Sequence, residues 1–434
     1  MAAELLNLRL VCTVRVPRQR GGEPVRQEVF SLGAWLWSFW SGFGTLWLVL
    51  LGVEVGRLAR GMRLMPRLAE VPADGPDLPP LTVVVAARNE EQAVGMCIRS
   101  LLGSDYPDLR VIAVDDRSSD RTAAILDEIA ASDLRLQVLR VHHLPPGWLG
   151  KNHALECGAR LAHGRWLLFT DADVRFAPST IRKAVRLAEA TGLDHLAAVP
   201  VLLAPGVGLR LFIAGFSLIL TMWMQPWNAV RTNHRASIGL GAFNLVRQSA
   251  YRGVGGHAAF PLAVADDVIL GRMLKGAGYR QCMALGASQG QHLLELEWYP
   301  DLGAAVRGLE KNAFAMFNFR TVAVVVWALL GALITGVPLI ALLLAPGWHR
   351  LPWLAVDLLM SASFGAAGRQ MMGRFPWFLS LLFPIAQITL TWALLRSAWL
   401  TIWHGGVRWR DTFYPLRELR SGQRPSGVRL RPGA

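Results

Sequence analysis

The run Leu81-Thr82-Val83-Val84-Val85-Ala86-Ala87-Arg88-Asn89-Glu90-Glu91 decides the fold. Its first half is continuously apolar and rich in valine, the mark of a strand buried on both faces inside a parallel sheet. Its second half turns abruptly polar. Outward from it the pattern repeats: apolar runs at 110–115, 136–141, 165–170 and 196–201 alternate with helical patterns at 91–102, 120–131 and 153–162. This alternation predicts an α/β domain over residues 81–320.

The flanks differ in kind. Of 434 residues 53% are apolar and 18% charged, against about 25% charged in soluble domains; the mean hydropathy is +0.32. Residues 32–53 are uncharged and long enough to cross a hydrocarbon core of about 30 Å as a helix. Uncharged runs recur at 321–347 and 375–395, and 351–368, which carries Asp357, reads as a span or a re-entrant segment. The division expected is an N-terminal extension (1–30), a transmembrane anchor (31–56), a basic, Pro-rich linker (57–80), the catalytic domain (81–320), a C-terminal transmembrane region (321–403) and a basic tail (404–434).

Lys plus Arg exceed Asp plus Glu by 45 to 31, a net charge of +14. Arg57, Arg60, Arg63 and Arg67 follow the first span, and Arg408, Arg410, Arg417, Arg420, Arg424, Arg429 and Arg431 crowd the tail. The positive-inside rule therefore predicts a multi-pass protein of the cell inner (cytoplasmic) membrane with its α/β domain in the cytoplasm. Arg9, Arg15, Arg18, Arg20 and Arg26 before the span pull the other way. A cytoplasmic tail needs an even number of crossings after the α/β domain, whereas three C-terminal spans would put it outside. No nucleic-acid motif accompanies the basic excess, so nucleic acid is not expected as a partner. Cys12, Cys97, Cys157 and Cys282 show no CxxC spacing and suggest a reducing compartment.

Three strands end in polar residues, where parallel sheets place their functional groups. The first runs into Arg88 and Glu90, the second into Asp115-Asp116-Arg117-Ser118-Ser119-Asp120, the third into Asp171-Ala172-Asp173. Any one alone reads as a helix cap. Two carboxylates on a tight Asp-x-Asp turn can share a hard divalent cation, Mg or Mn, and leave positions for diphosphate oxygens.

These segments, with Gly255-Gly256 and Ala265-Asp266-Asp267, resemble glycosyltransferase family 2, the inverting enzymes with a GT-A, Rossmann-like nucleotide-sugar-binding fold. The resemblance implies that Asp115, with Glu90, contacts the nucleobase or ribose. Arg88 and Asp116 belong to the same substrate-binding edge. It implies Asp173 as the principal metal ligand supported by Asp171, and Asp267, beside Asp266, as the base that deprotonates the acceptor. The run Leu144-Pro145-Pro146-Gly147-Trp148-Leu149-Gly150-Lys151 is similar to a segment of the membrane-bound branch around hopanoid-associated, carotenoid-acid and ceramide glycosyltransferases, which would set Lys151 near the diphosphate. One departure is plain. Where many members carry Gln/Arg-x-x-Arg-Trp, this chain has Arg307-Gly308-Leu309-Glu310-Lys311, so Arg307 keeps the first position and the Arg-Trp pair is gone.

The resemblance thus implies an enzyme that moves a sugar from a nucleotide-sugar donor to a membrane lipid. A polyprenyl-phosphate acceptor is the alternative, and a non-catalytic scaffold or transporter is the reading from another class. Residues 211–224, apolar but too short to span, read as an interfacial helix or a core helix. The seventeen tryptophans suit aromatic belts.

Overall fold

The computed structural model describes residues 32–75, 77–288, 290–409 and 412–422. The N-terminal extension, with its five arginines, and the end of the basic tail, with Arg424, Arg429 and Arg431, lie outside the described residues. So does Arg410.

Seven strands form the main sheet: β1 (Leu81–Ala87), β2 (Leu109–Asp116), β3 (Leu136–Val141), β4 (Trp166–Asp171), β5 (His195–Val199), β6 (Asn244–Arg247) and β7 (Gln281–Leu285). Their spatial order is β3-β2-β1-β4-β6-β5-β7. All neighbours run parallel except β6, which is antiparallel to both β4 and β5. The valines of β1 alternate between two cores. Val83 and Val85 face one, with Ile98, Leu101, Ile181 and Phe243; Val84 faces the other, with Leu155, Ile269, Leu270 and Met273. Both faces are covered, which is why the strand carries no polar alternation.

The helices are α1 (Leu32–Leu64), α2 (Val94–Leu102), α3 (Thr122–Ser132), α4 (Gly150–Leu161), α5 (Thr180–Thr191), α6 (Val207–Met224), α7 (Gln248–Gly253), α8 (Asp266–Gly276), α9 (Leu302–Met316), α10 (Thr321–Leu344), α11 (Leu351–Met372) and α12 (Phe383–Trp403), followed by a short hairpin and Leu416–Gly422. Among the described residues five helical segments are long and apolar enough to cross a membrane: Trp35–Leu64, Val207–Asn228, Thr321–Leu344, Gly347–Met372 and Trp377–Trp403.

Several expectations change on contact with the structure. The apolar run 196–201 breaks at Pro200, which has no N–H for the ladder; β5 stops at Val199, and Val201–Leu202 joins a separate three-stranded sheet. Helices α2 and α3 start later than 91 and 120 because those residues are occupied as turn anchors. The Asp120 carboxylate accepts from Thr122 N at 2.9 Å and from Glu91 N at 3.1 Å. The helix expected over 211–224 begins at Val207, and its first half is core rather than headgroup layer. Leu209, Phe212 and Ile213 are fully buried with the sheet residues, while Met222 and Trp223 near its end are exposed. Nor are all tryptophans belt residues. Trp353 is fully buried, its indole lies against Gly44, and the rings of Trp40, Phe43 and Trp47 surround it at 6.0–6.2 Å.

Helix α12, though long and apolar enough to cross a membrane, packs closely on the α/β domain. Its Leu390 and Ala393 belong to the core beneath the sheet, Arg396 pairs with Glu310 of α9 at 2.7 Å, and Ser397 Oγ donates to Glu310 O and accepts from Phe314 N. Beyond it Val407, Tyr414 and Leu419 pack with Leu149 and Val264 of the α/β domain.

Candidate active site

Strand register brings the polar ends together. In the ladder Ala87 pairs with Asp115 and Ala86 with Asp171, so the second and third acidic ends flank β1 on either side. Asp266 and Asp267 open helix α8, where the helix dipole favours negative charge. Gly241 joins the two groups: its carbonyl accepts from Asp171 N at 3.0 Å, and its N–H donates to Asp267 Oδ2 at 2.7 Å. A Cβ on Gly241 would sit 2.6 Å from Asp171 Oδ2 and 3.3 Å from Lys151 Nζ. Gly239 and Gly271 are equally constrained, because a side chain at either would meet the backbone carbonyl of Asp267 or of Ile238.

Lys151, on the first turn of α4, lies among these carboxylates. Its Nζ is 2.7 Å from Asp171 Oδ1 and 3.5 Å from Asp266 Oδ1. Burial works against its charge, but Asp171, Asp266 and Asp267 outweigh burial and hold its pKa above the usual lysine range. Asp266 is buried, and burial raises its carboxyl pKa despite Lys151. Asp267 is half-buried, with Oδ1 bonded to Val268 N. A cavity of about 10 Å³, room for roughly one water, lies between Lys151, Thr170, Asn244 and Asp267.

The donor set of Asp171 and Asp173 fits a hard divalent cation on one direct observation. Asp173 Oδ1 is buried and meets no hydrogen-bond donor among the described residues. Burial, then the neighbouring Asp171 and Glu90 charges, push its pKa up. A buried acceptor in that state is satisfied by a proton or a metal. Among the described residues no three His, Cys, Asp or Glu side chains form a metal cage. Two carboxylates therefore leave the remaining positions to other oxygens.

On the other side of β1, Asp115 is buried and accepts from Ser118 N at 3.3 Å. Asp116 is bidentate to Arg117, at 2.7 and 2.9 Å, with Arg88 at 4.0 Å. The β1 and β2 loops are latched: Asn89 Oδ1 accepts from Ser119 N, Asn89 N donates to Ser118 Oγ, and Glu90 N donates to Thr122 Oγ1 at 2.8 Å. Asn89 and Arg117 hold φ of 54° and 58° to make these turns. Arg307 stands exposed on α9.

Three residues enter the site that sequence reasoning did not select. Gly241 is one. Tyr299 is another: burial and then Asp173 and Asp171 raise its pKa, which sets its phenol in the field of the Asp-x-Asp turn. The third, His257, is fully buried and accepts or donates at Tyr251 OH, 2.8 Å away, with Tyr251 OH donating to Glu156 Oε2. Its Nε2 lies 3.9 Å from Asp266, and burial, then Lys151, push its pKa down to about 3. A neutral histidine thus backs Asp266. The Gly239-Leu240-Gly241 spacing and the His after Gly255-Gly256 were visible signals without an assigned task.

The glycosyl transferase family 2 model matches residues 82–213. A beta-monoglucosyldiacylglycerol synthase of Synechocystis sp. is 32% identical over 167 residues, 36% of this chain and 33% of that protein, so the match spans only a third of its length. A 4,4'-diaponeurosporenoate glycosyltransferase of Staphylococcus aureus is 24% identical over 354 residues, 77% of this chain and 88% of that protein. A mannosyltransferase from Pyrobaculum calidifontis, solved in complex with GDP-Man and Mn2+, is 18% identical, covering 81% of this chain and 99% of that one at a TM-score of 0.45.

Proposed function

We propose, from the premise that this chain carries a glycosyl transferase family 2 domain on a GT-A-like α/β fold, that it transfers a sugar from a nucleotide-sugar donor to a membrane lipid with inversion at the anomeric carbon. The observation that carries the reading is the convergence of Asp171, Lys151 and Asp267 around Gly241, with Asp173 in the field of Asp171 and Lys151, at the sheet edge where β1 and β4 end. Asp115 and Glu90 take the nucleoside. Arg88 and Asp116 shape that edge, and Arg307 is left as a second cation for the donor if α9 closes on it. Asp171 and Asp173 would hold Mg or Mn, which neutralises charge growing on the leaving diphosphate. Lys151 releases Asp171 to that ion and turns its charge to the phosphates. Asp267, the more exposed of the α8 pair, takes the acceptor's proton, while Asp266 keeps Lys151 in place.

A lipid acceptor is supported by the helix α6, which is core at one end and apolar and exposed at the other. The two relatives are named for a diacylglycerol product and a carotenoid acid. The membrane is the cytoplasmic one, with the α/β domain on its inner side. The test is direct. The full chain in detergent, given nucleotide sugars, Mn2+ and extracted membrane lipids, should yield glycosylated lipid of inverted anomeric configuration by mass spectrometry and NMR. Sugar found only on polyprenyl phosphate moves the acceptor class; no transfer in any combination overturns the reading.

A further inference from the structure

A second cleft, of about 360 Å³, lies between the end of α1 and the turn that follows α6. Glu54, Arg57 and Arg60 line it from α1, and Trp227, Arg231 and His234 from the turn. It shares no lining residue with the carboxylate crevice. One wall belongs to a segment of membrane length, Trp35–Leu64, and the other begins in Val207–Asn228 and runs on to Arg231 and His234. They are brought level by Trp227, whose ring a Cβ on Gly61 would meet at 2.1 Å. The cleft therefore sits at the depth where two apolar helices turn polar. Its mouth continues into exposed apolar side chains, Leu64 and Met222.

Its charge is unbalanced. Arg57 is neutralised by Glu54 at 2.9 Å, but among the described residues no carboxylate pairs with Arg60 or Arg231. The ammonium that approaches is positive too: Lys275 Nζ donates to Ala229 O and Arg231 O at 2.6 Å. Two unpaired guanidiniums facing one cleft, with an apolar exit, match an anionic phosphate head joined to acyl chains.

We propose that this cleft binds the phosphate headgroup of an anionic membrane phospholipid, with its tails lying along α1 and past the exposed end of α6. The proposal rests on the reading that α1 sits in a bilayer. A lipid held there stays outside the transfer site and ties α1 to the turn that leads toward Gly241.

The experiment is native mass spectrometry of the full chain released from detergent containing phosphatidylglycerol or phosphatidylcholine. The wild type should retain phosphatidylglycerol in preference. Arg60→Gln with Arg231→Gln should lower that preference about tenfold or more, each surface arginine being worth about 1 kcal/mol. A charge-matched control, Arg63→Gln with Arg235→Gln, lies outside the cleft lining and should leave the preference in place. Equal loss in both double variants means diffuse charge and overturns the site. Displacement of lipid by millimolar inorganic phosphate overturns it in favour of a free phosphate. A chain that inserts into neutral vesicles yet shows no anionic preference overturns this proposal and spares the membrane reading; a chain that inserts into no vesicle takes down both.

Discussion

At the residue scale, Asp173 and the α8 pair carry opposite demands. The raised pKa of Asp173 means that the folded chain binds a proton the unfolded chain would release. Stability from that proton is intact below the ordinary carboxylate range and drains away as pH rises through the raised value. In chelator, melting temperature should therefore fall between about pH 4 and pH 8, and Asp173→Asn should flatten the fall and melt roughly 2–4 °C higher at the alkaline end. The same variant should lose Mn2+-dependent nucleotide-sugar binding, read by calorimetry; unchanged binding would remove Asp173 from the metal. Wild-type affinity for Mn2+ should rise over the same window, since cation and proton compete. For the base, Asp267→Asn should keep donor binding and slow transfer by about a hundredfold or more. Asp266→Asn should instead loosen Lys151 and weaken donor binding. If only Asp266→Asn abolishes transfer, the roles are reversed. The acidic strand ends were legible because Asp and Glu interrupt otherwise apolar runs. Gly241 was not, since its part depends on backbone atoms that no side-chain pattern reports.

At the element scale, the loops after β1 and β2 act as one piece because Asn89 bonds Ser118 and Ser119 while Glu91 bonds Arg121 and Asp120. Asn89→Val places a β-branched residue at a φ of 54° and removes the side-chain acceptor. We expect a cost of about 1–3 kcal/mol and a donor KM raised several-fold with kcat little changed. A variant with wild-type KM would show that the latch does not shape the nucleotide edge. Gly241→Ala tests the second junction: its methyl group would push Asp171 and Lys151 apart, so donor binding should fall while circular dichroism stays native. The strand order of events, apolar run then polar turn, was readable along the chain; the antiparallel β6 was not, because pairing direction leaves no trace in four residues. Helix α6 stayed open between an interfacial and a core reading for a related reason. Apart from Arg210 it is apolar nearly all round, so little amphipathic contrast separates the face toward the sheet from the face toward lipid.

At the scale of the whole molecule, the parity conflict posed by the arginine-rich tail turns on where α11 and α12 end. Met371 and Met372 at the end of α11 pack against the sheet's core, and so do Leu390 and Ala393 of α12. Val407, Tyr414 and Leu419 then return to Leu149 and Val264. Both ends of the α12 region thus lie on the sheet's side, and we expect α10 and α11 to cross as a hairpin while 376–403 re-enters and exits on one side. A cysteine at His349, in the turn between α10 and α11, should label from outside the cell, and one at Arg417 only after the membrane is opened. Labelling of both from the same side would restore three crossings. The fragment 70–320, which lacks α12, leaves Phe212 and its neighbours without their cover and should be recovered only as aggregate. The place of Leu390 in the apolar layer beneath the sheet, against Gly215 of α6, also concerns time. The ribosome makes the sheet's strands long before it makes the residue that completes the apolar layer beneath them. During that interval the nascent chain carries an open greasy face at the membrane surface, and its safe completion depends on synthesis going through to the tail. A truncating stop codon between residues 320 and 390 is then expected to harm the α/β domain as well as the anchor.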